Sequence, residues 1–211
     1  MPAASSTVMV IDYDPDLRGS VGRLLRSLDI DVQLFGSISE FLVADPPDGP
    51  TCLVLDVRLP GQSGLDLQRK LASTNRDIPI IFITGHGDIP MSVEAMKRGA
   101  IEFLTKPFRD QDLLDAIEVG LSRDRGRRKN EEALAELKKR FDSLSSRERE
   151  IFVQVAGGRL SKQIAHDLGI AVATVKVYRG KLMHKMKARS PAELGRMADK
   201  LKLVPDMSPQ S

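Results

Sequence analysis

Five short apolar runs set the character of the first half of the chain: "TVMVI" at 7–11, "DVQLF" at 31–35, "CLVLD" at 52–56, "IPIIFIT" at 78–84 and "AIEFL" at 100–104. Near-continuous apolar runs of this length suit strands buried on both faces, the condition found in a parallel sheet. Between them, Leu17, Val21, Leu24, Leu25 and Leu28 keep helical spacing, and Leu65, Leu67 and Leu71 do so more loosely. Phe41 with Leu42, the stretch Met91 to Met96, and Leu113, Leu114 and Ile117 mark three more helices. Five βα repeats predict an α/β fold, a doubly wound five-stranded parallel sheet with helices on both faces. Ligands in that architecture bind at the carboxyl ends of the strands, near the point where strand order reverses.

The net charge of +3 conceals two unlike halves. Residues 1–120 hold 11 Lys/Arg against 18 Asp/Glu, a net of −7, and residues 121–211 hold 21 against 11, a net of +10. An acidic half joined to a basic half suggests two domains with different partners, the basic one facing a polyanion. The expected division is a first domain over 1–121, a charged helical linker over 122–143, an all-α domain over 144–203 and a frayed tail over 204–211. In the linker, Leu134, Leu137, Phe141 and Leu144 form an apolar stripe, read either as a solvated helix or as one that relays a signal or pairs subunits. The single cysteine, Cys52, cannot staple a fold. The start "MPAASST" has no basic segment ahead of an apolar core, and no apolar run nears the roughly 20 residues that span a bilayer. These features lead to the expectation of a cytoplasmic protein with no membrane partner.

The predicted strand ends gather a specific set of side chains. The first delivers Asp12, Tyr13 and Asp14, the third Asp56, the fourth Thr84 and the fifth Lys106. Such a set suits phosphoryl transfer onto a carboxylate, with Asp56 as nucleophile forming an acyl phosphate. Lys106 would pair with one phosphoryl oxygen and Thr84 would donate a hydrogen bond to another. Magnesium would neutralise the incoming charge, held by Asp12, Asp56 and the backbone carbonyl of Arg58, with waters completing its shell. Asp14 ahead of Pro15 reads as a helix N-cap followed by proline at the first helical position. Asp16 and Asp66 read as first-turn or surface acids, and His86 as a loop residue. Catalysis on external substrates is not expected, because no deep pocket or second base is signalled.

In order and spacing, the acidic cluster, "LDVRLPGQSG", "TGHGD" and "KPF" together resemble the receiver domain of two-component response regulators over residues 7–120. The resemblance implies a phosphoacceptor at Asp56, a switch formed by Thr84, Lys106 and the aromatic Phe103, and a cis peptide at Pro107. It also implies a sensor histidine kinase as partner, and dimerisation on activation through Met91, Glu94, Ala95 and Arg98. Where receivers usually carry two adjacent acids, this chain has Asp12 followed by Tyr13. A phenol is a poor magnesium ligand. Three readings stand: weakened metal binding through Asp12 and Asp56, substitution by Asp14, or a receiver that controls DNA binding independently of phosphorylation.

The basic half is helical throughout. "LSSREREIFVQVAGG" opens with a serine cap and ends in Gly-Gly, and "LSKQIAHDLGI" and "AVATVKVYRGKLMHKMKA" are two helices across a glycine turn. The first turns Ile164, Ala165 and Leu168 inward, and the second Val175, Leu182 and Met186. The second also carries Lys176, Arg179, Lys181, Lys185 and Lys187, which in a basic domain favour DNA. Over about 144–201 this segment resembles the LuxR/NarL-type helix-turn-helix domain, and the whole chain resembles NarL/FixJ-family response regulators. By that resemblance Thr174, Lys176, Val177 and Gly180 face DNA, with Arg179 and Lys181 compensating for the missing side chain at Gly180. Lys162, Gln163 and Thr174 are expected to position phosphates without reading sequence. Promoter DNA, and RNA polymerase beside it, are the expected partners.

Overall fold

The computed structural model describes residues 5–74, 76–85 and 89–203. His86 and the tail over 204–211 lie outside these residues. Two compact units divide the chain between Arg128 and Lys129.

The first unit is built on strands β1 (Thr7–Ile11), β2 (Asp31–Phe35) and β3 (Thr51–Asp56). A two-residue pair follows, β4 (Arg58–Leu59) and β5 (Gln62–Ser63), and then β6 (Ile80–Thr84) and β7 (Glu102–Thr105). The five long strands form one parallel sheet in the order β2-β1-β3-β6-β7. The expected doubly wound sheet is therefore present, and every apolar run lies on a strand. β1, β3 and β6 are buried along their whole length, but β2 and β7 are half-exposed. Those two are the sheet edges, so helices cover them less completely. The β4–β5 hairpin was not expected. It turns through Pro60 and Gly61, whose φ of 72° is a conformation that favours glycine.

Helices α1 (Pro15–Arg26), α2 (Ile38–Val43), α3 (Gly64–Ser73) and α4 (Ile89–Lys97) connect the strands. Residues on alternate sides of β1, β3 and β6 feed two separate cores. Met9, Ile11, Leu53, Leu55 and Phe82 pack with α2, α3 and α4, whereas Val8, Val10, Val54, Ile81 and Ile83 pack with α1 and the next helix, α5 (Asp110–Asp142). Each fully buried side chain of this kind contributes roughly 1.5–3 kcal/mol.

The last helix of the first unit and the charged stretch form one helix, α5 (Asp110–Asp142). "SRDRGRRKNEEALAELKKR" holds no proline and only Gly126, so nothing breaks the hydrogen-bond ladder. Leu113, Ala116, Ile117 and Leu121 belong to the first unit's core, and Leu137 and Phe141 to the second unit's.

The second unit adds α6 (Ser146–Ala156), α7 (Ser161–Leu168), α8 (Val172–Met186) and α9 (Pro191–Lys200). Ser145 and Glu148 close a capping box at the start of α6. Gly169 ends α7 with φ 62°, a left-handed residue that turns the chain into α8. Ile164, Ala165, Val175, Leu182 and Met186 are buried as the periodicity predicts, with Ile151, Phe152 and Leu194 completing the core.

Gly120 sets how closely α5 approaches β3. A Cβ there would lie 2.5 Å from the Cys52 Sγ. Gly120→Ala should destabilise the first unit by about 1–3 kcal/mol of overpacking, partly offset by about 1 kcal/mol of helix propensity. Combined with Cys52→Ala, which removes the sulfur, the loss should be less than additive by at least about 0.5 kcal/mol. Denaturant unfolding of the single and double variants measures that coupling, and strict additivity would refute the close contact.

Candidate functional site

β1 and β3 are neighbours whose connections leave in opposite directions along the sheet, so the strand-order reversal lies between their carboxyl ends. Asp12 follows β1 directly and Asp56 ends β3, and both are buried. Lys106, one residue past β7, reaches over this edge. Its Nζ donates to Asp12 Oδ2 at 2.5 Å and to Asp56 Oδ2 at 2.8 Å. The remaining oxygens are held by backbone: Asp12 Oδ1 accepts from the Asp14 N–H at 2.9 Å, and Asp56 Oδ1 from the Arg58 N–H at 3.0 Å. Both carboxylates are thereby oriented toward one ammonium.

The electrostatics follow from burial. Desolvation lifts the Asp12 carboxyl above its usual range, despite the opposing bonds from Lys106 and the Asp14 N–H. Burial acts to lower the Lys106 pKa, but its hydrogen bonds to Asp12 and Asp56 and their charges outweigh it, and the net shift is upward. Lys106 stays charged as the counter-ion of the pair.

The neighbours fix this arrangement. The Lys106 N–H donates to the Thr84 carbonyl at 2.8 Å, which ties the lysine to the end of β6, and the Lys106–Pro107 peptide is cis. Thr84 is fully buried. Phe103 is partly buried on β7 and lies against Phe82, with ring centroids 6.2 Å apart. Gly64 opens α3 where a Cβ would collide with the Asp56 carbonyl oxygen, which explains the second glycine of "LPGQSG". Arg18 was not singled out by the sequence pattern, yet its Nη1 donates to the Asp12 carbonyl at 2.5 Å. A side chain bonding backbone six residues away leaves no periodic signal.

Asp14 takes the capping role expected of it. Its Oδ1 accepts from the N–H groups of Asp16 and Leu17, with Pro15 at the first helical position. Tyr13 is 56% exposed. Among the described residues no group of three or more His, Cys, Asp or Glu could hold a metal ion. What remains is an oxygen-only set, the two buried carboxylates of Asp12 and Asp56. Such a set fits magnesium that keeps most of its waters, and fits poorly a cation needing a full protein cage.

The α4 face differs from the expectation. Ala95 is fully buried and its carbonyl accepts from Gln68 Nε2 at 3.2 Å, so its side chain belongs to the core rather than to a partner surface. Met91 packs against the same core. Glu94 and Arg98 are exposed and paired at 3.0 Å. The apolar side chains that α4 turns outward are Ile89, Val93 and Met96, exposed by 79%, 44% and 44%. Their i, i+4, i+7 spacing forms one stripe.

In the second unit, Lys162, Gln163, Thr174, Lys176, Val177, Gly180 and Lys181 are all exposed on α7 and α8. Gln163 Oε1 also accepts from the Leu160 N–H at 2.9 Å, which caps α7. Arg179 is only partly exposed and its Nη1 donates to Ser161 Oγ at 3.2 Å, so it braces α8 against α7. Lys185 likewise pairs with buried Glu148 at 2.7 Å. That bond and the Ser145 N–H hold the Glu148 carboxyl below its usual range.

Comparison with known proteins agrees with both units. Residues 8–118 match the family model for the response regulator receiver domain, and residues 142–198 match that for bacterial regulatory proteins of the luxR family. Nodulation protein W of Bradyrhizobium diazoefficiens is 53% identical over 199 residues, covering 94% of this chain and 88% of that protein. The transcriptional regulatory protein FixJ of Azorhizobium caulinodans is 44% identical over 194 residues, covering 92% of each. A solved structure of the response regulator StyR superposes with a TM-score of 0.83 at 48% identity, covering 93% of this chain and all of that one. Matches to both family models and to relatives aligned over nearly their whole length make this chain a response-regulator transcription factor of the NarL/FixJ family, a receiver domain followed by a LuxR-type helix-turn-helix domain.

Proposed function

We propose that Asp56 accepts a phosphoryl group from the phosphohistidine of a sensor kinase, and that this event promotes dimerisation and promoter binding in the cytoplasm, with RNA polymerase as the eventual partner. The observation that carries the reading is the convergence of Asp12 and Asp56 on Lys106 at the strand-order reversal. An Asp56 oxygen attacks phosphorus as the P–N bond to the donor imidazole breaks. Asp12 retains Lys106 as the ammonium moves from the Asp56 oxygen to a phosphoryl oxygen. The Thr84 hydroxyl donates to a second phosphoryl oxygen, and the space it leaves lets the Phe103 ring turn inward. Magnesium held by Asp12, Asp56 and the Arg58 carbonyl would offset the charge of the incoming group.

The dimer surface proposed is the Ile89, Val93 and Met96 stripe of α4, flanked by Glu94 and Arg98. Two second units in such a dimer would place their α8 helices about one DNA turn apart, roughly 34–36 Å. Thr174, Lys176, Val177 and Lys181 are the proposed groove contacts, and Lys162 and Gln163 the phosphate contacts, with Arg179 acting mainly as a brace.

Tyr13 favours a second reading, in which the receiver controls DNA binding without phosphate. It places an exposed phenol where receivers carry a metal-binding acid. Unchanged regulation by Asp56→Asn in cells would select this reading over the first.

Acetyl phosphate with magnesium should label native protein slowly, label Tyr13→Asp with a magnesium requirement on the order of tenfold lower, about 1.4 kcal/mol, and leave Asp56→Asn unlabelled. Phosphate found on Asp56→Asn, or no label on either other protein, would remove the phosphoacceptor assignment. Val93→Glu should keep the protein monomeric in beryllofluoride and magnesium, measured by sedimentation. A dimer fraction equal to that of native protein would exclude the α4 stripe.

A further inference from the structure

Helix α5 carries an inward stripe of Leu113, Ala116, Ile117, Gly120, Leu121 and Asp124. All but the last suit the apolar surface of the sheet. Asp124 comes one turn after Gly120, where close approach to Cys52 brings the helix to the start of β3. There the stripe meets polar backbone, and its last member is a carboxylate only 1% exposed.

This carboxylate is fully engaged. Asp124 Oδ2 accepts from the Thr51 N–H at 2.9 Å and from Arg128 Nε at 2.7 Å. Oδ1 accepts from Arg127 Nε at 2.9 Å and Nη2 at 2.5 Å. Arg128 then reaches on, donating to the carbonyls of Asp48 at 2.8 Å and Pro47 at 3.3 Å. Burial opposes ionisation of Asp124, but the two guanidinium groups and the Thr51 N–H outweigh it and hold the carboxyl below its usual range. The cluster thus links one turn of α5 to the loop before β3 and to the first residue of the strand whose last residue is Asp56.

Two further facts mark its place. Its helical members, Asp124, Arg127 and Arg128, lie between the two family matches, since one ends at residue 118 and the other begins at 142. The first compact unit also ends at Arg128, the last member of the cluster. The carboxylate fixes the register of this turn against the Thr51 N–H, a buried donor that an apolar side chain would leave unpaired.

We propose that Asp124 is a clasp fixing α5 to the amino end of β3, and that it makes DNA binding answer to the state of the receiver. Without it, the turn over 122–128 loses its hold on Thr51 and on the Pro47–Asp48 loop, and α5 beyond Leu121 no longer follows β3. The second half of the proposal rests on the reading that phosphorylation of the receiver controls DNA binding.

The test uses the full chain as native protein, Asp124→Asn, and Arg128→Gln, which removes the loop contacts while leaving the carboxylate in place. Hydrogen exchange should speed up at least tenfold over 122–128 and at Thr51 in Asp124→Asn, less in Arg128→Gln, with 146–198 unchanged. Unchanged exchange over 122–128 in both variants would overturn the clasp. DNA affinity is then measured with and without beryllofluoride and magnesium, on a fragment that native protein selects from a random-sequence pool. The ratio of the two affinities should fall toward one in Asp124→Asn, and a ratio equal to native despite faster exchange would overturn the coupling. A native protein that ignores beryllofluoride would defeat the phosphorylation reading and the coupling together, while the exchange result would still decide the clasp.

Discussion

The ammonium of Lys106 between the carboxylates of Asp12 and Asp56 is the interaction around which the carboxyl edge of the sheet is organised. Two buried carboxylates at the ends of adjacent strands would repel one another and favour protonation. One lysine from a third strand end relieves that repulsion by donating to both. The rest of the edge serves this geometry. Arg18 holds the backbone of Asp12, the Arg58 N–H orients Asp56, and Thr84 anchors the lysine's own amide. The site therefore draws on four strands at once, and the doubly wound sheet is what brings them to one edge.

The same sheet explains how a helix outside the site is tied to it. β3 ends in Asp56 and begins at Thr51, whose N–H is held by Asp124 of α5. Gly120 permits the approach, and the Cys52 thiol beside it is pushed up to about 12 by burial and by the nearby Asp124 charge. That thiol is a packing group, not a nucleophile, at neutral pH. In the second unit the polar cluster of Glu148, Ser145 and Lys185 has a comparable job, since it fixes the start of α6 against α8. It removes Lys185 from the set of basic side chains available to a polyanion.

Much of this was legible in the sequence, for physical reasons. Runs such as "TVMVI" and "TCLVLD" have few ways to be buried on both faces, so the parallel sheet and its carboxyl edge followed from composition alone. Asp14 with Pro15, and Ser145 with Glu148, are local capping signals that need no tertiary context. Local pattern carries less where tertiary contact decides. Ala95 is small and apolar, fitting a surface or a core equally well, and only the packing of α3 beneath α4 buries it. Ile89, Val93 and Met96 form the outward stripe instead, which "IPMSVEAMK" does not distinguish by hydrophobicity from Met91 and Ala95. Arg179 is expected at the DNA face, but Ser161 lies across the helix pair and accepts from it. Asp124 sits in a charged linker whose sequence suits a solvated or a signal-relaying helix alike, because nothing local marks a carboxylate that will meet a strand amide far back in the chain.

The most direct test of the central interaction is the local stability of β3 in Lys106→Met, measured by native-state hydrogen exchange of its amides at two pH values. Removing one partner of a buried pair costs about 3–5 kcal/mol. Burial already lifts Asp12 above its unfolded value, so the folded state takes up a proton more readily than the unfolded state and regains stability as pH falls. The account predicts a loss of about that size near pH 7.5, shrinking near pH 5 as a carboxyl of the unneutralised pair protonates. A loss that is absent at pH 7.5, or that is the same at both values, would contradict it.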